Sequence, residues 1–369
     1  MSTLEFWLRL WHIPGVGPKT FNKIIELFKS PKAVFDESYS SLLNLGFSHQ
    51  QAKAIVGEHQ ENYLADIEWM ESSSLNNIIT IDSPLYPKAL RHISIPPPLL
   101  YVSGDVACLN VPQQISIVGS RKATRTAQNQ AYEFSKRLAS IGFVVVSGLA
   151  RGIDYQAHQG AISIETGKSI AVLANGLDIT YPRQHKELAY KIRHQGIIVS
   201  EFPPGTKPLP KHFPRRNRII SGFSQGVIII EAAEKSGTLI TAKYALEQGR
   251  EVFAVPGQIS NPLNKGCHQL IQEGATLITS IEDVLMELGG SLINQLATPN
   301  NKEKDKRLAK ELEQLLALID YCPMQIETII AKSGLTPEQV SSMLMELEIG
   351  GYVVSDAFGQ YSRSAAEFI

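Results

Sequence analysis

The 369-residue chain has little cysteine: Cys108, Cys267 and Cys322 lie far apart and no CxxC pair occurs. That argues against a disulfide framework and against a structural zinc site, and it fits a reducing cytoplasm. Long apolar runs are also missing. The longest are strand-sized, such as Val227–Ile230, far short of the roughly 20 residues of a membrane span. Glu5 and Arg9 interrupt the apolar start MSTLEFWLRLW, so it does not have a signal-peptide layout, and no membrane partner is expected. Net charge is nearly absent, with 35 Lys+Arg against 36 Asp+Glu. A protein that coats nucleic acid through bulk charge is thereby disfavoured, whereas a local basic patch is not. Neither GxGxxG nor GxxxxGK[ST] occurs, which leaves dinucleotide and P-loop readings without support, and no cofactor is expected.

What is present is material for a core: 43% hydrophobic and 19% charged residues, with a length that suggests about two to three domains at roughly 150 residues each. Ile115–Val118, Phe143–Val146, Ile170–Leu173, Ile197–Val199, Val227–Ile230, Val252–Val255 and Thr276–Ile278 are short apolar runs, each leading through Gly, Ser or Pro towards a helical pattern. Strands covered by helices on both faces read this way. The pattern predicts an α/β domain over 76–288, a Rossmann-like, doubly wound, mostly parallel sheet. A small helical domain over 1–75, a polar linker over 289–307 and a C-terminal module over 308–369 complete the layout.

Ligands of such sheets bind beyond the carboxyl ends of the strands. After the first run, Gly119-Ser120-Arg121 offers backbone N–H groups and a guanidinium to an anion, or is an ordinary tight turn. After the second, Asp154 reads as a helix N-cap, and His158 one turn on makes with it either an acid/base dyad or a structural contact. Arg183 follows Tyr181-Pro182 after the third run. Between Phe202 and Ile230 stand Lys207, Lys211, Arg215, Arg216 and Arg218 with no Asp or Glu, and Phe213 sits among them. Pro203, Pro204, Pro208, Pro210 and Pro214 predict an extended approach. Cations beside an aromatic platform are how single strands are held without sequence preference, phosphates on Lys and Arg and bases on the ring. The alternative is a solvated loop anchored by Phe213. Lys235-Ser236-Gly237-Thr238 opens another helix and forms another anion site.

The segments GSRKATRTAQ, VVSGLARGID, VLANGLDITYPRQH, SEFPPG, HFPRRNRIISG, EAAEKSGTLITA and FAVPG occur in order, densely over about 80–288. Together they resemble the DNA processing protein A (DprA/Smf) family. The resemblance implies an extended Rossmann fold and a non-enzymatic homodimer that binds and protects single-stranded DNA and loads the RecA recombinase during natural transformation. It implies DNA contacts at Arg121, Arg183, Lys211 and Phe213, and at Arg216, Asn217 and Arg218 of the Arg-Asn-Arg motif. Backbone donors would come from Gly119, Ser120, Ser236 and Gly237, with Lys235 beside them. A dimer surface would involve Leu246, His268, Ile271 and Leu277. A related Rossmann-like family of nucleotide phosphoribohydrolases carries a catalytic Glu where this chain has Thr241, and a threonine does not replace a carboxylate as acid or base near neutral pH.

Ile13-Pro14-Gly15-Val16-Gly17-Pro18 before an apolar helix resembles a helix-hairpin-helix, or belongs to a SAM-like helical domain used for protein contacts. The C-terminal module reads as three helices and a β-hairpin, a winged helix (DML1-like), with Thr336 and Gln339 forming a capping box. Its third helix, TPEQVSSMLMELE, has three Glu and no Lys or Arg, which predicts a protein-contact or stabilising role over duplex readout. A DNA-binding regulator led by this module is the remaining reading.

Overall fold

The computed structural model describes residues 3–57, 61–289, 310–320, 324–349, 352–355 and 360–363. The chain forms two compact units, Met1–Ala297 and Thr298–Ile369. In the first, nine strands build one sheet: β1 (Asn76–Thr80), β2 (Leu99–Gly104), β3 (Gln114–Gly119), β4 (Val144–Ser147), β5 (Lys168–Val172), β6 (Ile197–Ser200), β7 (Gly226–Ile230), β8 (Glu251–Ala254) and β9 (Thr276–Leu277). Their order is β1-β2-β6-β5-β4-β3-β7-β8-β9. From β6 to β9 every neighbour is parallel, with Ile115 opposite Val145 and Ile117 opposite Ile228. β1 and β2 pair antiparallel with each other, and β2 pairs antiparallel with β6. The chain runs outward from β3 through β6, then returns to build β7 to β9 on the other side. The strand order therefore reverses between β3 and β7, where such sheets open a crevice.

Alternation along the strands divides the core. Ile115 and Ile117 face a cluster with Phe134 and Leu138 of one helix and Ile153 and Ala157 of the next. Val118, Val144, Val146 and Ile229 face the opposite cluster with Ile219, Ile220, Ala242 and Cys267. The layers that cover these faces are α8 (Arg125–Ser140) and α9 (Ile153–Ile162) on one side, and α11 (His212–Phe223), α12 (Gly237–Glu247) and α13 (Lys265–Gln272) on the other; along the chain α7 (Lys88–Arg91) precedes α8, and α10 (Lys186–Gln195) stands between α9 and α11. The last described helix of the unit is α14 (Ile281–Glu287).

The N-terminal helices α1 (Thr3–Trp11), α2 (Pro18–Phe28), α3 (Pro31–Phe35), α4 (Tyr39–Asn44), α5 (His49–Val56) and α6 (Leu64–Glu71) share a core with the sheet rather than standing apart from it. Trp7, Leu8, Phe21 and Leu42 pack with Leu99 and Tyr101 of β2. Buried Asp66 joins the layers, accepting from the Tyr101 hydroxyl at 2.9 Å and lying 2.7 Å from His12 Nε2. Gly15, with φ +81°, makes the turn before α2, which Pro18 starts in the manner favoured at a first helical position.

The second unit holds α15 (Lys310–Ala317), α16 (Ile326–Ser333), α17 (Pro337–Ile349) and a small sheet of β10 (Met324–Gln325), β11 (Val353–Ser355) and β12 (Gln360–Arg363), ordered β10-β12-β11. Leu315, Leu316, Ile329, Val340, Leu344 and Leu347 form its core, and the arrangement is a winged helix. The reciprocal bonds between Thr336 and Gln339 expected of a capping box are present. Apart from Gly289, the linker lies outside the described residues. Among the described residues no helix is long and apolar enough to cross a membrane.

Candidate nucleic-acid interface

An open cavity of about 730 Å³ lies beyond the ends of β3 and β7. Gly119, Ser120, Arg121, Phe213, Arg216, Asn217, Ser236 and Gly237 line it, with Lys122, Asp154, Tyr181, Thr238 and Thr241. The fold thus gathers most of the sequence-derived candidates from the end of β3 and its turn, the first turns of α11 and the start of α12. Arg183, Lys211 and Lys235 are exposed outside the lining, each within two residues of a lining residue.

At the rim, the Arg121 guanidinium stands 5.0 Å from the Phe213 ring centre, a cation–π geometry. Tyr181 meets the same ring edge-on at 5.9 Å. Phe213 is only half-buried. A flat, partly solvated ring is thereby flanked by an exposed cation.

The acid-free run behaves differently from its composition. Pro203 to Pro210 lie in a loop, but α11 begins at His212, so Pro214 does not extend the chain as expected. It sits in the first helical turn, where a backbone N–H would have no partner anyway. Two of the five cations then pair with Glu201, a carboxylate one residue outside the run and fully buried just after β6. Arg215 donates Nη2 to Oε2 at 3.0 Å and holds Nε 2.9 Å from Oε1 as an ion-pair contact. Arg218 bonds it through Nη2 and donates Nη1 to the Ile95 carbonyl. Arg218 is 6% exposed and lines no part of the cavity, so its expected phosphate contact is corrected to a structural ion pair. Burial lowers its pKa and Glu201 opposes the shift. Arg215 also lies over Phe202 at 4.9 Å and Trp11 at 5.7 Å.

Arg216 is deeper than expected, 4% exposed at the cavity floor. Its Nη1 donates to the carbonyls of Gly148 and Val172, both at 2.6 Å, and its Nε to Asn217 Oδ1 at 3.1 Å. A side chain on Gly148 would place its Cβ 2.2 Å from that Nη1, so glycine is needed here for contact, not for flexibility. Burial brings the Arg216 pKa down to about 10, which leaves it charged at neutral pH.

The turns donate fewer backbone N–H groups than expected. The Ser120 amide is spent on the Glu231 carbonyl at 2.7 Å and the Ser236 amide on Ala233 at 3.0 Å. Gly119 serves close strand packing: a Cβ there would sit 1.9 Å from the Ile230 carbonyl oxygen. Ser236 caps α12 by accepting from Thr238 N, and Thr238 Oγ1 donates to the Gly119 carbonyl, tying the two loops together. Glu231, buried at φ +55°, accepts from both Thr124 N and Thr124 Oγ1 at 2.7 Å and fixes the start of α8.

Asp154 is not the N-cap of α9; Gly152, at φ +75°, takes that place. The carboxylate instead accepts from the amides of Gly148 at 3.2 Å and Ala150 at 3.3 Å. Burial pushes its pKa up, with Arg216 pulling the other way. His158 does not pair with it. Nε2 accepts from Leu149 N at 3.3 Å, which leaves the proton on Nδ1 facing Ser169 Oγ at 2.7 Å. Burial holds the His158 pKa near 3, so the ring is a neutral structural strut.

The residues expected at a dimer surface fall on α12, α13 and β9, the last strand of the sheet. Leu246 is 59% and Leu277 47% exposed. Ile271 packs partly against the core, and His268 Nε2 lies 3.0 Å from the Gly257 carbonyl. Glu201, Lys122 and Tyr181 are not singled out as site residues by sequence reasoning. Tyr181 stands in a family-like motif, but nothing in one sequence brings Glu201 to Arg218.

The chain matches the family model described as DNA recombination-mediator protein A over residues 77–289, and the one described as DprA winged helix domain over 299–357. Protein Smf of Escherichia coli K12 is 36% identical over 359 residues, covering 96% of this chain and 94% of that protein. DNA processing protein DprA of Bacillus subtilis is 47% identical over 212 residues, 58% of this chain and 71% of the relative. The X-ray structure of DprA from Streptococcus pneumoniae superposes with a TM-score of 0.67 at 35% identity, covering 78% of this chain and 98% of the other. A Helicobacter pylori DprA structure, described for its single-stranded DNA binding mode, gives 0.53 at 29% identity over 58% of this chain and 97% of the other.

Proposed function

The chain belongs to the DNA recombination-mediator protein A family, and from that premise we propose that it is a DNA processing protein that binds single-stranded DNA in the cavity beyond β3 and β7. The observation that carries the reading is the rim: Arg121 over the half-buried Phe213 ring, with Lys122 beside it and Lys211 and Arg183 exposed nearby. Phosphates meet the cations while a base stacks on the ring. The single-strand binding mode described for the Helicobacter pylori relative supports it. Arg216, Asn217 and the Gly237 amide contribute from within the cavity, and Lys235 from its edge.

Under the same proposal the protein acts in the cytoplasm during DNA uptake and natural transformation. It protects the incoming strand without chemistry of its own and hands it to RecA. It works as a homodimer through Leu246, His268, Ile271 and Leu277. The helical region 1–75 and the winged helix 308–369 flank the DNA-binding part 76–288. Thr241 on the cavity wall, in place of a carboxylate, disfavours nucleotide hydrolysis. Titrating one preparation with a single strand, a duplex and a mononucleotide, with light scattering to read the oligomer, tests the proposal. The expected order is single strand tightest and no base released from the mononucleotide. Tighter duplex binding, or turnover of the mononucleotide, would contradict it.

A further inference from the structure

The cavity floor holds two charged groups that binding at the rim leaves unused. Asp154 and Arg216 both line the cavity and are 5% and 4% exposed. Asp154 spends Oδ2 on the Gly148 and Ala150 amides, while Oδ1 bonds to no described residue. Arg216 spends Nη1 and Nε on protein oxygens, while Nη2 bonds to no described residue. Neither atom is walled off from the cavity. The two residues make no ion pair with each other, so each leaves one polar atom to be met by whatever occupies the cavity.

Their chemistry restricts what that is. A carboxylate repels phosphate and takes only N–H or O–H donors, and the guanidinium requires an acceptor. A DNA backbone offers acceptors alone. The base edge is the part of the strand that presents a donor beside an acceptor, and all four bases do so on their pairing edge. A volume of about 730 Å³ is ample for one nucleotide.

We propose that Asp154 Oδ1 and Arg216 Nη2 form a base-edge subsite: one base of the bound strand enters the cavity and lays its pairing edge across these two atoms, while the phosphates stay at the rim with Arg121. The inference rests on the single-strand reading and adds a reason for it. In a duplex that edge is already paired, so the subsite rejects double strands without reading sequence.

Wild-type protein titrated with a thymidine oligomer and with an N3-methylthymidine oligomer of equal length tests this. The methyl removes the ring N–H and leaves charge and stacking. About tenfold weaker binding of the methylated strand is expected, the scale of one hydrogen bond to a charged group. Asp154→Asn, whose amide turns a donor to the cavity, is expected to bind the thymidine oligomer more weakly and to bring the ratio close to one. Equal affinity of wild type for the two oligomers overturns the subsite, and a ratio that persists in Asp154→Asn overturns the assignment to Asp154. Failure to bind the thymidine oligomer at all overturns the single-strand reading along with it. Because the oligomer comparison uses unaltered protein, it stands even if Asp154→Asn fails to fold.

Discussion

Arg121 and Arg218 carry the same charge and do opposite work. Arg121 is exposed at the cavity rim, with an aromatic face as its neighbour. Arg218 is buried against Glu201, which with the Ile95 carbonyl offsets its loss of hydration. Glu201→Gln leaves Arg218 and half-buried Arg215 uncompensated and is expected to lower stability by about 3–5 kcal/mol in urea denaturation. Arg121→Ala is expected to change stability by no more than about 0.5 kcal/mol while weakening single-strand binding. A stable Glu201→Gln protein would remove the structural role given to Arg218. The sequence could not separate these arginines. Both stand in motifs that point to DNA, and the acid-free run looks free of carboxylates only until the fold brings Glu201 from β6 onto α11. The rim pair Arg121 and Phe213 is more remote still along the chain, and only the resemblance joined them.

Among the elements, the seven parallel strands were legible because each is a short apolar run whose following loop reaches Gly, Ser or Pro before a helix. β1 and β2 lack that signature. They pair antiparallel with only the four-residue α7 between them, and β2 follows a proline run in place of a turn signal. Asp154 looked like a cap because it stands at the start of a helix; the positive φ of Gly152 moved the cap back and turned the carboxylate onto the preceding loop. The β4–α9 turn carries a pH dependence through His158. Its folded pKa near 3 lies below the ordinary 6.5, so the fold holds it neutral. Above pH 6.5 its contribution is fully present. As pH falls towards 3 the unfolded chain takes up a proton that the fold refuses, at about 1.4 kcal/mol per pH unit. His185 and His212 are lowered by burial and add to this, whereas the raised Asp154 opposes it. The urea midpoint is therefore expected to drop between pH 7 and pH 5, with a smaller drop in His158→Asn. An equal drop in both proteins would place the dependence elsewhere.

At the scale of the whole molecule, a net charge of −1 and a DNA site are compatible because the charge is arranged, not abundant. Glu201 pairs with the arginines that hold α11 in place. Arg121, Lys122, Arg183, Lys211 and Lys235 stay exposed in or beside one cavity, outside the ion pairs of the described residues. The third helix of the winged-helix unit, α17, carries Glu338, Glu346 and Glu348 and contributes acid to the balance. A grip this local predicts that few phosphates are neutralised, and so a shallow but real salt dependence. The most direct measurement is single-strand affinity against salt concentration for wild type and for the double variant Arg121→Ala, Lys211→Ala. The log–log slope of the variant is expected to be shallower by about 0.7 for each phosphate it no longer neutralises, with weaker binding at every salt concentration. Identical slopes and affinities in the two proteins would contradict a DNA site at this cavity.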